Sequence, residues 1–253
     1  MGVLQFDGVD DRIRWTTLAT ALQNLPTGAY TLAVLFKRGT PTGTWDALSY
    51  LNSGSGSGSA EAGISISDVN TAFMDLNLSQ SNPKTATTFT NTTSPYLWVL
   101  SKAAGASAPR LGWKLGSGGA WTHENLDNSP ADQSAATILG IGEWQAGDIF
   151  EGWIGLVAWW SGAMSDANKE ALDDNWRTSD WWASVHGQPV FLAELNVAGA
   201  SVVDLAGNAS SLTVVGTTLD AAETLDNWNF DGTGAAPKSL IVAPRPMRHM
   251  LVR

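Results

Sequence analysis

The segment from Phe150 to Leu172 constrains the fold of this chain more than any other stretch of its sequence. It reads FEGWIGLVAWWSGAMSDANKEAL, so an almost uninterrupted apolar run leads directly into a helix start. A strand that is apolar on both faces needs a packing partner on each side. Ser165 is a typical helix N-cap, and Asp166 in the following turn interacts favourably with the helix dipole. The segment therefore predicts a buried strand followed by one short helix.

The composition favours strands and turns in the rest of the chain. Only 15% of the 253 residues are charged, whereas 26 are glycine. The charged residues Lys, Glu and Arg are good helix formers, and glycine is typical of turns. Tyr30 to Phe36 alternates in side-chain character as a strand does, and further short strand candidates recur between Asp46 and Gly142. We predict an all-β, two-sheet antiparallel sandwich with one short helical region.

The carboxyl-terminal end differs from the rest of the chain in charge and in proline spacing. Residues 233–253 contain four basic residues and no acid, so the remaining residues carry a net charge of −14 within a total of −10. Prolines 237, 244 and 246 oppose a helix or a central strand. We therefore predict a sandwich over residues 1–232 and an extended basic arm over residues 233–253. The partner-binding residues of the arm are predicted to be Lys238, Arg245, Arg248 and Arg253.

Several classes of protein are disfavoured by what the sequence lacks. There is no cysteine, no amino-terminal signal-peptide pattern and no apolar run long enough to span a bilayer. A strongly acidic chain repels nucleic acid phosphates. We expect a protein made in a reducing cytoplasm, without membrane insertion and without nucleic acid as its ligand.

Three segments resemble the laminin G-like group of concanavalin A-like jelly rolls. Residues 4–11 (LQFDGVDD) and 29–36 (AYTLAVLF) are similar to the opening strands of that group, and residues 150–172 are similar to its closing strand and helix. Residues 199–208 resemble a segment that precedes the Phe-Asp-Gly strand in many such domains, yet here they follow the helix. The resemblance implies a jelly-roll sandwich in permuted order, completed by residues 190–232. It also implies the binding of sugars, proteins or cell surfaces, in some relatives with calcium.

The densest group of candidate metal ligands is Asp7, Asp10 and Asp11. Carboxylates in a turn suit calcium, although aspartates in turns more often bind backbone amides. We therefore expect no obligatory cofactor and leave calcium open. Thirteen tryptophans are present, and those beside Gly-rich turns are candidates for an exposed sugar platform. These candidates are Trp113, Trp121 and Trp144.

No catalytic residues are predicted. The hydrolases of this fold carry their carboxylates in a Glu-x-Asp-x-x-Glu pattern, which does not occur here. The other clustered acids, Asp166, Glu170, Asp173 and Asp174, are at helical spacing and fit a solvated helix face. The histidines are too far apart in sequence to form a zinc motif. We therefore expect a protein that is not an enzyme.

Resemblance to stand-alone phage proteins of this fold implies a virion protein that decorates a capsid or tail. In this hypothesis the chain is a lectin-like structural or adhesion module, and its arm contacts other virion or assembly proteins or further copies of the chain. The alternative is a carbohydrate-binding module that uses exposed tryptophans to bind a cell-surface glycan. A glycoside hydrolase is the third hypothesis.

Overall fold

Two antiparallel sheets form the body of the protein. The computed structural model describes residues 2–40, 45–54, 60–74, 82–116, 119–143, 149–175, 186–195, 202–224 and 228. The strands in this part of the chain are β1 (Gly2–Asp7), β2 (Arg12–Leu18), β3 (Tyr30–Arg38), β4 (Asp46–Asn52), β5 (Ala60–Ile66), β6 (Thr71–Phe73), β7 (Lys84–Thr88), β8 (Tyr96–Lys102), β9 (Arg110–Leu115), β10 (Thr122–Asn125), β11 (Ile138–Ile141), β12 (Glu151–Ser161), β13 (Phe191–Glu194), β14 (Ala209–Val215) and β15 (Thr218–Thr224). The helices are α1 (Thr20–Gln23), a 3-10 turn at Leu25–Thr27, and α2 (Asp166–Asn175).

The strand order places the first and last described strands side by side. Sheet I has the order β10-β9-β8-β3-β12-β1-β15, with β13 also paired to β12. Sheet II has the order β14-β2-β11-β4-β5-β6-β7. The edge strands β14 and β15 therefore lie on one side of the sandwich, and the edge strands β7 and β10 lie on the other. The predicted fold class, an all-β two-sheet antiparallel sandwich, is confirmed.

The long strand β12 is apolar on both faces because each face is covered. Ile154, Val157 and Trp159 belong to the core between the sheets. Leu156 and Trp160 belong to a second apolar layer on the outer face of sheet I. The other large members of that layer are Val3, Leu35, Leu97, Val99, Met164, Leu172, Leu192 and Trp228. Helix α2 thus covers sheet I from outside, as the sequence of residues 150–172 predicts.

The region after α2 contributes three strands to the sheets. β13 pairs with β12, β14 with β2, and β15 with β1. The Asp204 carboxylate accepts the backbone N–H groups of Leu192, Ala206, Asn208 and Ala209 and so fixes the turn before β14. Residues 202–204, which lead into this turn, form no regular secondary structure.

The predicted division between sandwich and arm stays a prediction. Of residues 225–253, the structure describes only Trp228. The predicted partner-binding residues Lys238, Arg245, Arg248 and Arg253 therefore lie outside the described residues. In the described part of the chain, no helix is both long and apolar enough to cross a membrane.

Candidate functional site

The turn between β1 and β2 is built around its own aspartates. Asp11 Oδ2 accepts the backbone N–H of Asp7 at 2.6 Å, and Asp7 Oδ1 accepts the backbone N–H of Val9 at 2.8 Å. Asp11 is consequently only 2% exposed, whereas Asp7 and Asp10 are exposed. Asp7 and Asp11 therefore bind backbone amides of the turn, as aspartates in turns commonly do, and each uses one carboxylate oxygen for this.

The three carboxylates of this turn converge. Asp7, Asp10 and Asp11, here called the carboxylate cluster, each place one oxygen within 4.8 Å of the others. Gly216, in the turn between β14 and β15, lies against the cluster with φ +74°. A Cβ at this position would lie 1.7 Å from Asp11 Oδ1 and 3.0 Å from Asp10 Oδ1. Glycine is thus required here for space as well as for backbone conformation.

Among the residues that the structure describes, one buried oxygen of the cluster has no hydrogen-bond donor. Asp11 Oδ1 is buried and unpartnered, a costly arrangement for a polar atom. Burial is the largest influence and raises the pKa of Asp11 from 3.8 to about 6; the hydrogen bond from the Asp7 amide partly opposes it, and the charges of Asp7 and Asp10 raise the pKa further. A nearby cation would offset both the burial and the repulsion.

The cluster fits a hard divalent cation. Calcium takes six to eight oxygen ligands, roughly, drawn from carboxylates, backbone carbonyls and water. Asp7, Asp10 and Asp11 would supply the carboxylates, and the exposure of Asp7 and Asp10 leaves room for water or a ligand on the outer side. Bound calcium would provide a positive point charge that attracts oxygen atoms of a partner.

The structure describes two of the three predicted tryptophans, and one of them is buried. Trp113 is 9% exposed and packs in the core, with its ring centroid 5.2 Å from that of Phe89, so it offers no surface platform. Trp121 is half-buried and stacks on His123 at 5.8 Å. Trp144 lies outside the described residues.

Sequence reasoning missed Trp45, which is 39% exposed at the start of β4 and stands edge-on to Phe73. The Gly/Thr-rich stretch before Trp45 was an available signal, because such stretches are loops.

A second polar group lies on the outer face of sheet II. Arg12 and Arg14 both contact Glu143 Oε2, at 3.2 and 3.3 Å. Arg14 Nε also donates to the Tyr50 hydroxyl at 3.2 Å, and desolvation raises the pKa of Tyr50. Because the two guanidinium groups share one carboxylate and the tyrosine is 1% exposed, these residues mainly stabilise the sheet.

Asp166 and Glu170 of helix α2 are not simply part of a solvated face. Asp166 binds Arg110 at 2.6 Å, and the His123 ring nitrogens lie 3.2 Å from Asp166 and 3.0 Å from Glu170. Lys169 is fully buried and donates from Nζ to the Arg110 carbonyl at 2.8 Å. These contacts attach α2 to β9 and β10, which corrects the expectation from helical spacing alone.

Comparison with known proteins leaves the family open. No protein-family model matches the sequence, and no curated protein matches it. Among solved structures, a heptameric SAP-like pentraxin from Limulus polyphemus matches with a TM-score of 0.49 and 13% identity, over 85% of this chain and 93% of that one. Trypanosoma rangeli sialidase matches with a TM-score of 0.41 and 12% identity, over 58% of this chain and 23% of that one.

The LG1-3 region of the laminin alpha2 chain matches with a TM-score of 0.42 and 11% identity, over 62% of this chain and 32% of that one. This chain therefore spans less than a third of the laminin region and about a quarter of the sialidase. All three TM-scores are below 0.5, so these likenesses assign no ligand, activity or family to the protein.

Proposed function

We propose that this protein is a non-catalytic, lectin-like binding module that holds calcium in the carboxylate cluster. The observation that carries the proposal is the buried, unpartnered Asp11 Oδ1, which faces the same point beside Gly216 as Asp10 Oδ1. In a site that binds no cation, a buried carboxylate oxygen is normally protonated, hydrogen-bonded or exposed to water. A cation satisfies it directly.

A sugar is the ligand class that these features suit best. Calcium at an exposed turn attracts the hydroxyl or carboxylate oxygens of a glycan. Trp45 provides an exposed aromatic ring, which suits the apolar face of a sugar. Val9, in the same turn as the cluster, is 69% exposed and adds apolar surface beside the metal ligands.

Calorimetric titration with calcium tests the metal site. The wild-type protein should bind one ion with a dissociation constant of about 10⁻⁵ to 10⁻³ M. Asp11→Asn should remove measurable binding, because the amide lacks the charge and presents a donor on one side. Asp68→Asn, at an exposed aspartate in another turn, is the matched control and should bind normally. Equal binding by the wild type and Asp11→Asn would refute the site.

A glycan array with and without a calcium chelator tests the ligand class. We expect binding that the chelator and Asp11→Asn both abolish and that Trp45→Ala weakens. Trp121→Ala tests the other described candidate, whose half-buried ring against His123 should contribute less than that of Trp45. A blank array with a working calcium site would keep the metal proposal and exclude glycans as the ligand.

A second candidate is the assembly of a virion, in which the chain decorates a phage capsid or tail. The supporting observation is the contrast between the basic residues 233–253 and the acidic remainder of the chain. Such an arm would attract an acidic partner, including another copy of the body. Native mass spectrometry should detect oligomers that disappear when Arg245, Arg248 and Arg253 are changed to Glu, and that persist in Lys84→Glu. A monomeric wild-type protein would exclude self-assembly.

A further inference from the structure

The two long sides of the sandwich are closed in different ways. On one side, Glu124 of β10 accepts the backbone N–H of Ala86 in β7 and, at 2.8 Å, the hydroxyl of Thr87. Asp127 adds two bonds to the backbone of Lys84, at 2.9 and 3.0 Å. Acidic side chains therefore cross from sheet I to the free edge of sheet II and use its backbone donors.

The opposite side, between β14 and β15, keeps apolar side chains at its rim. Leu212 lies opposite Trp15, and Leu219 lies opposite Leu4. Residues directly opposite in a sheet point to the same face, and Trp15 and Leu4 are core residues. Leu212 and Leu219 therefore point inward from the two edges. Leu219 is nevertheless 42% exposed, and Leu212 and Val214 are only half-buried against the core.

The β14 edge of this side also lacks the residues that usually guard a sheet edge. Residues 205–219 contain no charged side chain and no proline. Edge strands normally carry such residues because unpaired backbone groups attract other strands. Ser211, with φ +60°, interrupts the edge at one point and leaves Leu212–Val215 as its regular part. We call the space between Leu212–Val215 and Leu219 the open slot.

The last described residue of the chain, Trp228, contacts the edge strand β15. Trp228 is 1% exposed in the outer apolar layer, and its indole N–H donates to Glu223 of β15 at 2.9 Å. Residues 229–238 follow and can span roughly 33 Å when extended, which exceeds the length of a typical strand of about 17–20 Å. Ser239–Val242, reading SLIV, then brings three consecutive aliphatic residues.

We propose that residues 239–242 dock in the open slot of the same chain, as an added strand beside Leu212–Val215. Leu240, Ile241 and Val242 would cover the half-buried rim, and their backbone would pair with the unguarded edge. The short tether gives the segment an effective concentration on the order of millimolar, which favours its own slot over that of another copy. Arg245, Arg248 and Arg253 lie beyond the docked segment and remain available to a partner. This docking is independent of calcium binding.

Hydrogen exchange in the full-length chain tests the docking. The amides of residues 212–215 should exchange about tenfold or more faster in the double variant Leu240→Asp/Ile241→Asp than in the wild type. Met247→Asp/Met250→Asp introduces the same charges into the arm outside the segment and should exchange like the wild type. Equal protection in all three proteins would overturn the proposal.

Disulfide formation provides a second test, because the chain has no native cysteine. Val214→Cys combined with Ile241→Cys or with Val242→Cys covers both faces of the docked segment, and one pair should give an intramolecular disulfide in a monomer. Val214→Cys with Met250→Cys should give none. A disulfide-linked dimer would show docking between copies and overturn docking within one chain, and no disulfide in either pair would overturn docking altogether.

Discussion

At the residue scale, Asp11 links the calcium proposal to pH. Burial, followed by the charges of Asp7 and Asp10, raises the pKa of Asp11 to about 6. Calcium requires the ionised carboxylate, so binding must displace a proton below that pH. We expect calcium affinity to be constant above pH 7 and to fall by up to about tenfold per pH unit below pH 6. Calorimetric titrations between pH 5 and 8 measure this, and a flat profile would exclude Asp11 as a ligand.

When calcium is absent, the raised pKa of Asp11 also makes the free energy of unfolding depend on pH. Because the folded protein holds the Asp11 proton more tightly than the unfolded chain does, protonated Asp11 stabilises the fold. This contribution to the free energy of unfolding is fully present below pH 3.8 and is lost as the pH rises through about 6. Asp11→Asn should therefore be at least as stable as the calcium-free wild type at pH 7, and calcium should not raise its melting temperature. Calcium should raise that of the wild type, because the ion binds only the folded state. Thermal melts with calcium and with a chelator test both expectations.

Gly216 gives a steric prediction at the same site. Its φ of +74° disfavours any Cβ, and a Cβ would lie 1.7 Å from Asp11 Oδ1. Gly216→Ala should therefore displace the Asp11 carboxylate, abolish calcium binding and reduce the free energy of unfolding by about 1–3 kcal/mol. Gly207→Ala, with φ +77° and open space around its Cβ position, is the control. It should show only the backbone cost and bind calcium normally.

Sequence reasoning identifies the aspartates of the cluster and misses their surroundings. Three aspartates within five consecutive residues form a local pattern that is evident in the sequence. Gly216 lies more than two hundred positions from Asp11, and only the pairing of β14 with β2 and of β15 with β1 brings the two turns together. The expected exposure of Trp113 failed for a related reason, since its burial depends on Phe89 from a separate segment.

At the element scale, helix α2 is held to sheet I partly by a buried cation. Desolvation, only partly offset by the charge of Asp166, lowers the pKa of Lys169 from 10.5 to about 8. Between these values the unfolded state binds more protons, so the free energy of unfolding rises with pH from about 8 to 10.5. The rise attributable to Lys169 is at most about 3 kcal/mol.

Lys169→Met should remove this rise, because the variant keeps the volume of the side chain and loses the charge. Denaturant unfolding of both proteins from pH 7 to 10 gives the difference between their free energies of unfolding. The contributions of the other titrating groups cancel in this difference. Lys84→Met, at an exposed lysine, should keep the wild-type slope. A difference between Lys169→Met and the wild type that does not change with pH would contradict the assignment.

Elements differ in how far their sequences determine them. Residues 150–172 are predictable because β12 is apolar on both faces and α2 begins at a recognisable cap, so local pattern and packing agree. β15 (Thr218–Thr224) is not, because TLDAAET has few β-branched residues and no clean alternation. It becomes a strand by pairing with β1, which is a tertiary effect.

At the scale of the whole molecule, the difference between the two sides of the sandwich predicts which side chains hold the edges of the two sheets together. Glu124 joins β10 to two residues of β7 across the gap between the sheets. Glu124→Ala should remove the acceptor of the Ala86 N–H and of the Thr87 hydroxyl and reduce the free energy of unfolding by about 0.5–1.5 kcal/mol, because these groups are exposed or only part-buried and water can bind them instead.

Glu124→Ala should destabilise β7 without destabilising the opposite side of the sandwich. Amides of β7 (Lys84–Thr88) should exchange faster in Glu124→Ala, because their protection depends on this crossing, while those of Leu212–Val215 on the opposite side should be unchanged. Glu170→Ala, which removes an exposed acid of α2 that contacts His123, is the matched control and should leave β7 unaffected. Faster exchange on both sides in Glu124→Ala would mean that the two edges open together, and the separate closure of each side would then be wrong.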